Sequence, residues 1–306
     1  MEWLLARNIF KHDSHPYIVG SDSNHAITYD LFTSKQGLVR YGTEMRHTEP
    51  SPHLKILNFL KIMRVHNFNV VCMKWGTKYG PEYVISLRNM VARNLSFPHR
   101  FLCFTDMNEG LPRDIEVRPL PHCPTVSGRE EEAWRKLSLF SRNLGDLEGP
   151  TLFIDLDVII VGPIDDFFPH APGSFCIIHN WTHPDRRVGN SSVFRFEAGR
   201  HEYVFDAYLR DHATIVERYR NEQIFLTHMV DQAEGVEWWP PEWCVSFKKH
   251  CLPRGVTKLL RPSRIPPGAR IVAFHGDPKP PDAAIRWRYK GHHFMRPAPW
   301  ILDYWK

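Results

Sequence analysis

Residues 151–168 read TLFIDLDVIIVGPIDDFF, and this segment carries most of the information in the chain. Its first four residues predict a short buried strand, because they are uncharged and partly β-branched. Asp155 and Asp157 follow, separated by Leu156, and apolar residues then resume. In an extended chain, residues i and i+2 project to the same side. We therefore expect both carboxylates to point one way from the strand end, while Leu156 points into the core.

Two carboxylates side by side at the end of an apolar strand are costly, because each repels the other and neither is well solvated. A divalent cation bound through oxygen atoms removes this cost, and α/β proteins bind ligands at the carboxyl ends of parallel strands. The alternative is a strand-end turn in which Asp155 or Asp157 accepts hydrogen bonds from the backbone. Asp165 and Asp166 fit that structural role better, because they follow a Gly-Pro pair and begin a short helix.

Strands and helices alternate around this segment. Apolar runs predict strands over 69–75, 99–106 and 114–121, and helical spacing predicts helices over 81–95 and 130–144, the second opened by a capping-box pattern over 127–130. Short connections between such elements imply an α/β fold: a mostly parallel central sheet with helices on both faces. The region after Trp238 is rich in Pro and Trp, which predicts irregular structure.

Composition excludes several classes of protein. The net charge of +5 over 306 residues is too mild for a dedicated nucleic-acid binder, but it suits an anionic small substrate or an anionic membrane surface. No apolar run reaches the roughly 18–20 residues that cross a bilayer, and the N-terminus lacks a secretory-signal pattern. The six Cys show no CxxC pair and no zinc spacing, which predicts buried reduced thiols in a cytosolic protein.

A second segment with ligand-binding residues is GARIVAFHGDPKP, residues 268–280. A predicted strand ends there at His275, whose neutral imidazole can serve as a third metal ligand. Gly276 lets the backbone approach a ligand closely, and Lys279 can meet a phosphate as a point charge. The chain has 18 His, so an isolated His means little, but the position of His275 beside Gly and Lys strengthens the case.

Residues 69–302 resemble bacterial nucleotide-sugar glycosyltransferases of the GT-A (Rossmann-like) fold. They are similar to the retaining family 8 enzymes, which include glycogenin and the lipooligosaccharide galactosyltransferases. The segments that carry the resemblance, in chain order, are VVCMKWGTKYG, WRKLSLF, FIDLDVIIVGPIDDFF, NSSVFRF, NEQIF and HGDPKP. We expect a single GT-A domain over 68–280, after an N-terminal appendage or disordered arm over 1–52 and an amphipathic helix or linker over 53–67. A basic-aromatic tail over 281–306 follows the domain.

The resemblance implies an enzyme that moves a sugar from a nucleoside diphosphate, with UDP as the expected nucleotide, to a glycan or lipid-linked acceptor. It implies a role in cell-surface polysaccharide or lipopolysaccharide synthesis. The implied cofactor is Mn²⁺ or Mg²⁺, and the implied metal ligands are Asp155, Asp157 and His275. The residues implied to bind the nucleotide-sugar are Lys74, Trp75, Tyr79, Asp106, Lys136, Asp155, Asn190, Ser191 and Lys279. Glu222 and Gln223 stand where relatives carry an Asp-Gln pair near the reacting carbon.

The stereochemical outcome and two other functions stay open. If the configuration is retained, the leaving phosphate oxygen takes the acceptor proton and Gln223 stabilises the cation; if it is inverted, Glu222 is the general base. A sugar-nucleotidyltransferase would use similar metal chemistry, although the loop WGTKYGPEY lacks the expected Gly-rich pattern. A non-catalytic carbohydrate-binding protein of the same fold is the third alternative.

Two segments suggest contact with a membrane. The predicted helix over 53–65 either packs on the core or lies on an anionic membrane. The tail over 285–306 mixes basic and aromatic side chains, which suits a membrane interface, a sugar-stacking acceptor lip or a wrap that seals the core. We therefore expect a cytoplasmic protein, with or without peripheral contact at the inner face of the membrane, and no nucleic-acid partner.

Overall fold

The computed structural model describes residues 19–22, 25–28, 68–129, 132–142, 144–290 and 293–306. The chain divides into two compact units, Met1–Leu60 and Lys61–Lys306. In the first, β1 (Val19–Asp22) and β2 (His25–Thr28) form an antiparallel hairpin. Most of the predicted appendage and the whole predicted helix over 53–65 lie outside the described residues.

The second unit is built on a seven-stranded sheet. Its strands are β3 (Phe68–Lys74), β4 (His99–Thr105), β5 (Glu116–Pro119), β6 (Pro150–Ile154), β8 (Cys176–His179), β9 (Gly189–Glu197) and β10 (Glu237–Trp238). The order across the sheet is β10-β8-β9-β6-β3-β4-β5. Only β9 runs against its neighbours, and the remaining pairs are parallel. The prediction of an α/β fold with a mostly parallel central sheet is confirmed.

Both faces of the sheet are covered at its centre. All seven residues of β3 are buried, including Asn69 and Lys74 among the apolar side chains. A strand buried on both sides needs a layer on each face, which is why its sequence is a continuous apolar run and not an alternation. The helices of the unit are α1 (Pro81–Asn94), α2 (Glu202–Arg210), α3 (His212–Arg218) and α4 (Glu222–Ala233). Pro81 occupies the first turn of α1, as predicted.

The predicted α-helix over 130–144 is wrong in type and length within the described residues. The segment Ala133–Phe140 is a 3-10 helix, and Ser141 after it is extended. Trp134, Leu137 and Phe140 recur every three residues and are all buried, so a helix of three residues per turn places them on one face. Glu130, the far end of the predicted capping box, lies outside the described residues.

A second, three-stranded sheet completes the body. It consists of β7 (Val158–Ile160), β11 (Cys244–Ser246) and β12 (Ile271–Ala273), with β12 central. The Pro-rich region after Trp238 is therefore more regular than predicted. Besides β11 and β12, its elements are a π-helix Phe247–Cys251, α5 (Thr257–Leu260), α6 (Pro280–Ile285), β13 (Arg288–Lys290), β14 (His293–Phe294) and α7 (Ile301–Tyr304).

The six Cys are all buried and free, as predicted. Arg195 on β9 is also buried, and its guanidinium donates to the carbonyls of Phe167, Phe168, His170 and Ala171. Among the described residues, no helix is long and apolar enough to cross a membrane.

Candidate active site

A cavity of about 540 Å³ opens where β3 and β6 end. Parallel strands place their carboxyl ends at one edge of a sheet, and loops at that edge can converge on a ligand. Here the antiparallel strand β9 begins at the same edge, and α4 begins there too. The residues that line the cavity are Met73, Trp75, Lys78, Tyr79, Glu132, Ala133, Lys136, Asp155, Leu156, Asp157, Asn190, Ser191, Ser192, Arg220, Asn221, Glu222, Gln223, His275, Gly276 and Lys279.

The acidic pair lies at the junction of the two sheets. Asp155 follows β6, and its backbone N–H donates to the Ser192 carbonyl on β9 at 2.8 Å. Asp157 precedes β7, and its carbonyl accepts from the Phe274 N–H beside β12 at 3.1 Å. Leu156 between them is buried. The backbone therefore anchors one aspartate to the large sheet and the other to the small one, and both side chains line the cavity.

Asp155 forms an ion pair with a buried lysine. The Lys136 Nζ lies 2.7 Å from Asp155 Oδ1 and 2.8 Å from Oδ2, and it also donates to the Ser191 carbonyl at 3.2 Å. Burial raises the pKa of Asp155 to about 6; the Lys136 ammonium opposes this rise and Asp157 adds to it. Burial alone would lower the pKa of Lys136, but attraction to Asp155 and Glu222 outweighs it, so that pKa is raised.

Asp157 is held by a tyrosine and a second lysine. The Tyr79 hydroxyl donates to Asp157 Oδ2 at 2.7 Å, and Lys279 Nζ donates to the same oxygen. Lys279 Nζ also donates to the Tyr79 hydroxyl at 2.6 Å and lies 4.9 Å from the centre of its ring. Burial and the nearby Asp157 charge raise the pKa of Tyr79 well above its usual value. Tyr79 therefore stays neutral and can donate its proton to the carboxylate.

The predicted reacting residues lie at the start of α4. Asn221 caps this helix by accepting from the Ile224 N–H at 3.3 Å. Glu222 Oε1 accepts from Ser191 Oγ at 2.6 Å and lies 4.0 Å from Lys136 Nζ. Gln223 Oε1 accepts from the Ser191 N–H at 3.2 Å. Glu222 is thus tied into the interior, whereas Gln223 has its amide at the cavity wall.

His275 lies across the cavity from α4. Its Nε2 is 2.7 Å from Ser246 Oγ, and Trp181 stacks on its ring with centroids 5.7 Å apart. Burial lowers the pKa of His275 to about 4, and the nearby Lys248 contributes to the same direction. The imidazole is therefore neutral at pH 7, which is the state that a metal ligand requires.

The three residues predicted to bind a metal fit a divalent cation by chemistry. Two carboxylates and one neutral imidazole are suitable ligands, and the ammonium groups against both carboxylates indicate that this cavity attracts positive charge. Their present hydrogen bonds are to other side chains, however, and no three His, Cys, Asp or Glu of the described ranges are spaced to share one ion. A cation at Asp157 would have to displace Lys279.

Most of the predicted site residues come together here, and two do not. Lys74 is buried at the end of β3 and does not line the cavity. Asp106 is exposed, and its Oδ2 accepts from the Gly76 N–H at 3.0 Å, so it braces the loop after β3. The remaining predicted residues line the cavity: Trp75, Tyr79, Lys136, Asp155, Asp157, Asn190, Ser191, Glu222, Gln223, His275 and Lys279.

The sequence prediction missed several residues of the cavity wall. The polar ones are Lys78, Glu132, Ser192, Arg220 and Asn221. A signal existed for two of them, because Asn221 is the first residue of the predicted helix start NEQIF, Arg220 directly precedes it, and Asn is a preferred capping residue. Glu132 gave no such signal, since it lies in a run of three glutamates that reads as a solvated face.

Among the solved structures similar to this chain are two of one galactosyltransferase. One is the galactosyltransferase LgtC in complex with donor and acceptor sugar analogs: 13% identity, TM-score 0.49, covering 72% of this chain and 89% of that one. The other is an active-site mutant of LgtC: 12% identity, TM-score 0.48, covering 69% and 89%. No protein-family profile and no curated protein matches the sequence. At these values the likeness assigns no residue of this chain a role.

Proposed function

We propose that the chain is a metal-dependent glycosyltransferase. It would move a hexose from a nucleoside diphosphate, UDP in the first instance, to a glycan or lipid-linked acceptor of cell-surface polysaccharide. The observation that carries this proposal is the pairing of two lysines with two carboxylates in a single cavity, Lys136 on Asp155 and Lys279 on Asp157. In such a site a lysine ammonium can leave its carboxylate for the phosphates of a bound nucleotide-sugar, and a metal ion that enters with the ligand can take its place on the carboxylate.

Lys279 is the group suited to meet the diphosphate. It follows Gly276, at which the backbone adopts a left-handed φ of 76°, and its side chain is 14% exposed at the cavity wall. An ammonium that leaves Asp157 for a phosphate stabilises the negative charge that grows on the leaving group. Asp155, Asp157 and His275 would have to move from their present spacing to hold a divalent cation, which would supply Lewis-acid stabilisation of the same charge.

Lys136 has a different role in this proposal. It is 5% exposed and contacts Asp155 and Ser191. It is too deeply buried to leave with a ligand, so it holds Asp155 in place and limits the net charge of the acidic pair. In this proposal Lys136 therefore stays on Asp155, whereas Lys279 moves from Asp157 to the ligand.

The contacts of Glu222 favour retention of configuration. Glu222 is 5% exposed and accepts from Ser191 Oγ, close to Lys136. A buried carboxylate that already accepts from Ser191 Oγ is poorly placed to reach the proton of an acceptor hydroxyl. We therefore infer that the leaving phosphate oxygen takes the acceptor proton, and that Gln223 lies at the cationic face of the sugar.

The test is nucleotide-sugar binding and turnover. UDP-hexoses added with MnCl₂ should raise the melting temperature of the protein, since a ligand bound only by the native state stabilises it by mass action. Asp157→Asn and Lys279→Met should each lose most of that shift and of the sugar transfer. Asp166→Asn is the matched control, because Asp166 lies in the same segment but pairs with Arg270 outside the cavity.

Three outcomes would contradict the proposal. One is that no nucleotide-sugar stabilises the protein, with or without manganese. Another is release of pyrophosphate from a nucleoside triphosphate, which would identify a nucleotidyltransferase. The third is calorimetric binding of a glycan with neither UDP nor Mn²⁺ bound, which would identify a carbohydrate-binding protein. Transfer that survives both Asp157→Asn and a chelator would remove the metal from the proposal and leave the transferase.

A further inference from the structure

Several large apolar side chains are exposed on the C-terminal third of the second unit. Val256 is 76% exposed, Leu260 73%, Ile285 66% and Trp287 53%. Single exposed apolar residues are ordinary on protein surfaces, whereas a contiguous group marks an interaction site. These four side chains come from two segments, 256–260 and 285–287.

Backbone contacts bring their segments together. The Arg296 N–H donates to the Lys258 carbonyl at 2.9 Å, so the segment of α5 lies beside residue 296. The Met295 N–H donates to the Trp287 carbonyl at 2.9 Å, and the Ala298 N–H donates to the Ala283 carbonyl at 2.9 Å. Residues 295–298 therefore lie between the α5 segment on one side and residues 283–287 on the other. We call the exposed surface of these three segments the apolar-basic face.

The charges on this face have one sign. Residues 252–270 contain four Arg and one Lys but no Asp or Glu, and residues 283–302 contain no Asp or Glu either. The exposed cations beside the apolar side chains are Arg254, Arg261, Arg264, Arg286 and Arg296. Two acids lie at the edge of the face: Asp282 pairs with Arg286 at 3.1 Å, and Glu242 lies beside Gly268. The face thus combines several arginines with the most exposed large apolar side chains of the part of the chain that the structure describes.

We propose that the apolar-basic face docks on an anionic lipid bilayer. Side chains such as Leu260 and Trp287 would enter the boundary between headgroups and acyl chains, while the arginines around them meet the lipid phosphates. Apolar contact and electrostatic attraction together give stable yet reversible binding, which neither gives alone. Membrane contact was one of three alternatives that the sequence left open for the tail, and the structure adds the segment 254–261, in which Val256 and Leu260 are the most exposed large apolar side chains of the described residues.

This proposal goes beyond the proposed function and is tested without it. The full chain is sedimented with vesicles of phosphatidylcholine containing about one-third phosphatidylglycerol, and with vesicles of phosphatidylcholine alone. We expect binding to the first kind only, weakened by added KCl. The double variant Leu260→Ser/Trp287→Ser should bind the anionic vesicles about tenfold more weakly or worse, and Arg254→Gln/Arg261→Gln should do the same.

Leu209→Ser is the matched control, because Leu209 on α2 is 43% exposed and belongs to none of the three segments. It should bind as the wild type does. All substituted positions are exposed, and circular dichroism and the melting temperature check that each variant is folded. As a second readout, brominated lipids should quench wild-type tryptophan fluorescence, and Trp287→Phe should lose the largest part of that quenching.

Equal binding to both kinds of vesicle, or unchanged binding of both double variants, would overturn the proposal. So would light scattering that shows a dimer in solution which Leu260→Ser dissociates, because the face would then be a protein–protein interface. None of these results depends on sugar transfer, so the docking proposal and the proposed function can fail separately.

Discussion

Replacing Lys136 by Met tests the electrostatic description of the cavity. Methionine keeps the length and apolar stem of the side chain but removes the charge. The ammonium pairs with Asp155 at 2.7 Å, lies 4.0 Å from Glu222, and is 5% exposed. Its loss leaves Asp155 and Glu222 in the cavity wall without the ammonium group that lies near both.

The expected cost follows from burial. Removing one partner of a buried ion pair typically destabilises a protein by about 3–5 kcal/mol, because the other charge is left uncompensated. Asp155 is 21% exposed, so water screens part of its charge, and we place the loss at about 3 kcal/mol. For a unit of this size, 1 kcal/mol corresponds to a change of about 2–4 °C in melting temperature, so Lys136→Met should melt about 6–12 °C lower.

Urea denaturation at neutral pH, followed by circular dichroism, measures this loss. The double variant Lys136→Met/Asp155→Asn should recover part of it, because the partner carboxylate is then neutral too. Arg142→Met is the control, since Arg142 pairs with Asp206 at the surface and its side chain is 72% exposed; its transition should not move. Exposed ion pairs contribute less than about 1 kcal/mol to the free energy of unfolding. If Lys136→Met loses no more than that, this description of the cavity is refuted.

Three further predictions concern stability. Arg195→Met should lose about 3 kcal/mol or more in urea, because several buried carbonyls lose their donor, and Arg195→Lys should recover part of that. Gly189→Ala should cost about 1–3 kcal/mol, because a Cβ there would lie 2.6 Å from an Ile177 carbon; Gly162→Ala, with nothing nearer than 3.5 Å, should be near neutral. Burial, with help from Lys249, lowers the folded-state pKa of His250. Below pH 6.5 the unfolded chain thus takes up a proton that the folded chain resists, so stability falls as pH falls, and His250→Asn should flatten that slope between pH 7.5 and 5.5 in thermal melts.

The parts of the fold that the sequence predicts well are those where local pattern and burial agree. The runs that become β3, β4 and β6 are apolar because each is covered on both faces, so length and composition were sufficient to find them. The prediction of an α-helix for Ala133–Phe140 was wrong because the buried residues recur every three positions, a spacing that a short α-helix and a 3-10 helix share.

In the site, too, the sequence predicts what depends on neighbours in the chain and misses contacts between distant segments. The strand-end position of Asp155 and Asp157 could be read from their neighbours in the chain. Their lysine partners could not, since Lys279 is 122 residues from Asp157 and meets it only because β12 adds to the sheet that contains β7. The same holds for the apolar-basic face, where backbone hydrogen bonds of residues 295–298 bring residues 256–260 and 285–287 together, a contact that neither segment predicts.

The passage of the chain from one sheet to the other has a mechanical consequence. A single residue, Leu156, separates an aspartate fastened to β9 from one fastened beside β12. A ligand that binds both carboxylates would therefore hold the two sheets together, and slower amide exchange along β11 and β12 would report an occupied cavity.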